Sequence, residues 1–235
     1  MRQTKNFNAQ GDLTMLRKLV ASAVLIAASG AATAGPINYS EGFDDITSLA
    51  GSGWVLNDQS TPDPANTGWF QGNDGIFAAE SGAANSYIAA NFLGAPFGGT
   101  ISNWLITPTL TLVGDSEISF STRTANGDFG DNLEVLVSFG GTNLDEFVSL
   151  GTLFSSFYPT DWSSITVLSN GFYGDVHLAL RYAVDDTSVA GDYIGIDSFN
   201  LKGNEAAVPE PGTTAMFAAA LAMVFVAMRR RRSQI

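Results

Sequence analysis

Val176, Leu178, Leu180 and Tyr182 occupy every second position of one stretch, with His177, Ala179 and Arg181 between them. A period of two is the signature of an extended strand that buries one face; a helix would need apolar residues three and four apart. The pattern recurs. Ile118 and Phe120 alternate with polar neighbours in 117–121, and Leu133, Val135, Val137 and Phe139 share one face of a strand that runs into Gly140-Gly141. Residues 163–168 and 193–201 add two more strands. Short strands separated by Gly, Asn and Asp turns, with no amphipathic helix among them, predict an all-β, antiparallel jelly-roll β-sandwich over residues 35–203. No repeat or long linker divides this body. Residues 58–68 form a polar loop punctuated by proline, and 204–208 read as a brief linker.

Charge narrows the function. Between Gly35 and Val208 there are 21 Asp and Glu side chains, but only Arg123, Arg181 and Lys202 are basic. Such a surface repels phosphate backbones, which excludes nucleic acid as a partner, and it attracts cations. Cysteine is absent, so disulfides, thiolate catalysis and cysteine-bound zinc are excluded. The apolar content is enough for a core of this size without covalent staples.

The two ends differ from the body. Met15-Leu16-Arg17-Lys18 leads into an apolar run from Leu19 to Ala28 and then into Ala31-Ala32-Thr33-Ala34-Gly35. A basic start, a short apolar segment and a small-residue site make residues 1–34 a signal peptide, with Met15 as a candidate start and cleavage by signal peptidase between Ala34 and Gly35. At the other end Pro209-Glu210-Pro211 precedes an apolar stretch, 212–228, and then Arg229, Arg230, Arg231 and Arg232. As a helix that stretch is about 25 Å long, slightly short for a hydrocarbon core of about 30 Å. The arginines hold the C-terminus in the cytoplasm, the basic signal residues hold the N-terminus on the same side, and the body is placed outside.

Pro-Glu-Pro, an apolar span and an arginine-rich end, in that order, resemble the PEP-CTERM sorting signal (209–232). The resemblance implies processing by an exosortase in a Gram-negative bacterium that makes extracellular polysaccharide. It also implies a transient inner-membrane anchor, followed by release to the cell surface or extracellular matrix. Two prolines keep the residues before the span extended, where a protease can grip them.

A second resemblance covers the body. Glu41-Gly42-Phe43-Asp44, Gly53-Trp54, Trp69, Gly72, Ser86-Tyr87, Asn103-Trp104-Leu105-Ile106-Thr107-Pro108, 134–138 and Ile194-Gly195-Ile196-Asp197 follow the order of the choice-of-anchor J family, related to cleaved-adhesin and MAM-like jelly rolls. Ser198 departs from it where a second acidic residue is common. The resemblance implies adhesion or matrix association, with polysaccharide or another surface protein as partner. It also puts Glu41, Asp44 and Asp197 forward as ligands of a structural calcium, an ion that takes six to eight oxygen donors. The loop Gly127-Asp128-Phe129-Gly130-Asp131-Asn132 is a second candidate, although its spacing is not that of an EF-hand.

Aromatic rings stack on sugar faces, and Trp69 and Trp162 adjoin polar turns where such contact is expected; Trp104, inside its strand, reads as core. Catalysis has little footing. His177 is the sole histidine and no G-x-S-x-G elbow occurs. The expectation is a non-enzymatic binding module. The alternative is a secreted glycan-active hydrolase using paired carboxylates.

Overall fold

The computed structural model describes residues 35–62, 68–126, 129–154 and 157–204, together with Leu221. The signal segment, the Pro-Glu-Pro motif, the expected span 212–228 and the arginine end lie outside the described residues. Among the described residues no helix is long and apolar enough to cross a membrane.

Residues 34–206 form one compact unit. Its strands are β1 (Pro36–Glu41), β2 (Val55–Asp58), β3 (Phe70–Gln71), β4 (Ile88–Asn91), β5 (Ile101–Ile106), β6 (Leu110–Thr124), β7 (Asn132–Ser138), β8 (Val148–Phe154), β9 (Ser163–Val184) and β10 (Tyr193–Asn204). Every pairing is antiparallel. One sheet runs β3-β4-β10-β6-β9, with β1 beside the second half of β10. The other runs β2-β5-β9-β7-β8. First and last strands are therefore neighbours, Glu41 opposite Phe199, as a jelly roll requires.

β9 belongs to both sheets. Its first part pairs with β6 (Thr122 opposite Ser163, Leu110 opposite Val176), and its last part passes between β5 and β7. Two runs that look like separate strands in the sequence, 163–168 and 176–182, are thus one 22-residue strand. Its register against β6 shifts between Phe172 and Ser169, beside Gly171 with φ 77°.

The alternating residues face each other across the sandwich. Ile118, Phe120, Leu133, Val135, Val137, Val176, Leu178, Leu180 and Tyr182 are all at most 2 % exposed and lie in one core with Ile194, Ile196, Phe199 and Leu201. Each such side chain contributes roughly 1.5–3 kcal/mol on burial. Phe139 is the exception to the expected face. It lies one residue past the end of β7 and is 55 % exposed, its ring edge-on to Phe172.

The outer faces also carry clusters. On one sheet Trp104, Ile106, Leu136 and Ala179 pack with Val55, Leu144 and Phe147, and Arg181 lies over the Trp104 ring while pairing with Glu134 at 2.6 Å. On the other, the segment after β3 folds back so that Phe77, Tyr87, Ala89 and Tyr193 pack with Phe70 and Trp162. Gly195 makes room for them: a Cβ there would meet Phe77 and Tyr87 ring atoms at 2.9 Å.

Candidate functional site

Strand register gathers a set of loops at one end of the sandwich. In the first sheet Tyr193 pairs with Asn91 and Ile194 with Thr124. In the second, Ile101 pairs with Val184 and Asn132 with Ala183. Segments 92–100, 125–126 with 129–131, and 185–192 therefore emerge side by side. Thr187 ties two of them together, its N–H donating to Gly99 O (2.9 Å) and its hydroxyl to Pro96 O (2.5 Å). Gly191 N–H donates to Phe129 O at 2.8 Å and joins the third. Gly99 must be small, because a Cβ would lie 2.6 Å from Thr61 O.

These anchored loops hold apolar side chains out into solvent. Phe97 is 87 % exposed and Val189 77 %, with Leu93, Phe92 and Phe129 also exposed. Single exposed apolar residues are ordinary, but five on adjoining, hydrogen-bonded loops are an unusual concentration. Sequence reasoning missed these positions. The available signal was a phenylalanine in a Pro-Phe-Gly-Gly turn, where no core is within reach.

Beneath the loops lie two buried carboxylates. Asp131 Oδ1 accepts from the Tyr182 hydroxyl (2.5 Å) and from Asp192 N–H (2.8 Å). Asp192 Oδ2 accepts from Thr124 Oγ1 (2.9 Å) and Asn126 N–H (2.6 Å), and its Oδ1 from Asn126 Nδ2 (3.1 Å). Burial raises the Asp131 carboxyl above the ordinary carboxylate range, more than its hydrogen bonds lower it, and the neighbouring Asp192 charge adds to the rise. The Tyr182 hydroxyl is raised by burial and by the Asp131 charge.

The expected calcium ligands occupy another corner, where β1 meets β10. Asp197 is 1 % exposed, and its Oδ2 accepts from the N–H groups of Glu80 (2.9 Å) and Ser81 (3.0 Å), its Oδ1 from that of Ser198 (2.5 Å). Burial raises its carboxyl too, against those three donors. Glu41 turns back to Phe43 N–H at 2.8 Å, and Asp44 is exposed beside Gly82. The topology does bring the three residues to one edge. Their side chains do not form a cage: among the described residues no group of three His, Asp or Glu is placed to hold a metal. Asp197 is already satisfied by backbone. Ser198, the departure from the family pattern, sits at a bulge with φ 54° and donates its hydroxyl to Glu80 Oε2 at 2.6 Å.

The tryptophan expectation needs correction. Trp69 is 7 % exposed and part of the main core, so neither ring face is open to a sugar. Trp162 is partly buried, its Nε1 donating to Ala78 O (2.8 Å) and its ring edge-on to Phe77 and Tyr87. Trp69 is thus closed to a ligand, and Trp162 is partly covered. Trp104 is buried as expected, on the outer face of its sheet instead of between the sheets. His177 Nδ1 bonds Thr107 O (2.9 Å) and Nε2 bonds Thr109 Oγ1 (3.2 Å), which uses both ring nitrogens. No carboxylate is among those partners.

Strand order and the pairing of first with last strand define a jelly-roll β-sandwich. The same fold is found in the K2 cleaved adhesin domain of Lys-gingipain, at 19 % identity over 70 % of this chain and 99 % of that one, with a TM-score of 0.53. The K1 domain of Lys-gingipain from Porphyromonas gingivalis W83 is 24 % identical over 72 % of this chain and 99 % of that one, TM-score 0.51. At these identities the likeness shows the fold alone. Residues 207–232 match the PEP-CTERM protein-sorting motif, so the chain carries a sorting signal of that class. No curated protein matches the chain.

Proposed function

We propose that this is an exported, exosortase-processed surface or extracellular-matrix protein of the choice-of-anchor J type, whose body is a non-enzymatic module that binds polysaccharide or another surface component. The observation that carries the reading is the exposed ring of Phe97, on one of the loops that also expose Phe92 and Phe129 and that are tied through Thr187 and Gly191. Flat rings held out by rigid loops offer stacking area at little entropic cost, which is how aromatic side chains serve contact surfaces. The sorting motif supports delivery outside the cytoplasm, and the adhesin name borne by the two neighbours of like fold agrees with a binding role. A structural calcium at Glu41, Asp44 and Asp197 is a separate part of the proposal. The acidic edge supports it, and the backbone donors on Asp197 speak against that residue as a ligand.

A glycan array with the purified protein, paired with a reducing-sugar assay, tests the reading. Binding that Phe97→Ala weakens at least tenfold, without release of reducing ends, is the expected result. Turnover abolished by a single carboxylate change would replace the binding reading with a hydrolase.

A further inference from the structure

Thr187 is bonded to both Pro96 and Gly99, so the loop 185–192 lies directly against the loop that exposes Phe97. Asp186, the residue before Thr187, is fixed by its own turn. Its backbone oxygen accepts from the N–H groups of Val189 (3.2 Å) and Ala190 (3.0 Å). Its Oδ1 accepts from the N–H (2.8 Å) and the hydroxyl (2.6 Å) of Ser188. Those two donors hold the Asp186 carboxyl below the ordinary carboxylate range, so it is ionised at neutral pH. Asp185 beside it is exposed. The cations of the body are elsewhere. The Arg123 guanidinium lies 4.3 Å from the Phe77 ring centroid, Arg181 pairs with Glu134 over the Trp104 ring, and Lys202 pairs with Glu117. No Lys or Arg occurs in 92–100, 125–131 or 185–192.

We propose that this loop end takes a polysaccharide bearing free amino groups, with pyranose faces against Phe97 and ammonium groups toward Asp186 and Asp185. The inference rests on the binding reading above and names the ligand class. An apolar ring accepts a sugar face whatever its substituents, so the charge beside the ring selects among sugars. A uronate, sulfate or phosphate group would meet carboxylates there and find no guanidinium or ammonium to pair with. The acidic body, with 21 Asp and Glu between Gly35 and Val208, repels such polymers from a distance as well. A neutral sugar would gain the stacking alone. An ammonium gains both, and it meets an acceptor already held in place: Ser188 pins Asp186 Oδ1, and Oδ2 has no hydrogen-bond partner among the described residues. A basic peptide would match the carboxylates but lacks the flat pyranose face that a ring accepts.

Calorimetric titration of the purified protein tests this with glucosamine, N-acetylglucosamine and galacturonate oligosaccharides of equal length, and with polylysine. Acetylation removes the charge and keeps the ring, so the first two isolate the ammonium. The glucosamine oligomer should bind at least about fivefold tighter than its acetylated form, and the galacturonate should not bind. Asp186→Asn keeps an oxygen for the Ser188 donors. Combined with Asp185→Asn it should make the first two affinities nearly equal and leave that of the acetylated form unchanged, whereas Phe97→Ala should weaken both alike. Acetylated or galacturonate oligomers that bind as tightly as glucosamine overturn the proposal and leave the glycan reading standing. A preference that survives the double change overturns it too. Glucosamine binding that polylysine matches and Phe97→Ala does not touch is attraction to the acidic body at large, which also overturns it. Should none of the three oligosaccharides bind, the inference falls together with the glycan reading.

Discussion

Ser81 N–H donates to Asp197 Oδ2 at 3.0 Å across 116 residues of sequence, and Glu80 N–H joins it at 2.9 Å. One buried side chain on the last strand thus holds down the segment that covers the outer face of its own sheet.

Asp197→Ala removes the acceptor and leaves those donors unpaired. A cost of about 1–3 kcal/mol is expected, which for a body of this size lowers the melting temperature by several degrees. Asp197→Asn keeps one carbonyl oxygen facing the same donors and should cost less. Thermal denaturation followed by circular dichroism ranks the two, and equal losses would contradict the assignment.

Tyr182→Phe and Tyr158→Phe delete hydroxyls of different standing. Tyr182 donates to a buried carboxylate, whereas Tyr158 bonds Thr122 Oγ1, whose own hydrogen goes to Gly195 O. A hydrogen bond to a charged group is worth about 1.5–3 kcal/mol and a neutral one about 0.5–1.5. Urea unfolding in chelator should therefore find the first variant less stable than the second.

Trp104→Ala empties the outer cluster that Phe147 and Arg181 close. A loss of about 3 kcal/mol is expected, against about 1 kcal/mol or less for Glu134→Gln, whose ion pair is partly open to solvent. Chemical denaturation midpoints check the order.

Phe97→Ala should change stability by no more than about 0.5 kcal/mol, while Phe120→Ala in the core costs about 3–5 kcal/mol. A Phe97 variant that melts well below wild type would show that the ring is structural and not held out for a partner.

Material from the native host should have lost residues 1–34 and the arginine end of the sorting signal, which matches over residues 207–232. Intact mass decides this, and retention of Arg229 to Arg232 would show that the signal is not processed.

The strands were legible in the sequence because their cause is local. Alternation at 118–120, 133–137 and 176–182 assigns one face of each strand to a core whatever the partner strand is, and the structure buries those faces. The calcium and glycan candidates depended on distant segments. Asp197 looked like a ligand beside Glu41 and Asp44, but residues 80 and 81 arrive to satisfy it. Asp131 and Asp192 are 61 residues apart, and nothing near either one announces their contact.

By itself the chain determined its β-rich character, its acidity, its lack of disulfides and its sorting signal, since each follows from composition or from short contiguous patterns. Tertiary structure alone decided that Trp69 is covered while Phe97 is not, that 163–168 and 176–182 are one strand in two sheets, and that two aspartates share a buried floor. Exposure and charge environment are set by what packs from elsewhere in the fold, and a linear pattern carries no record of the neighbours that folding supplies.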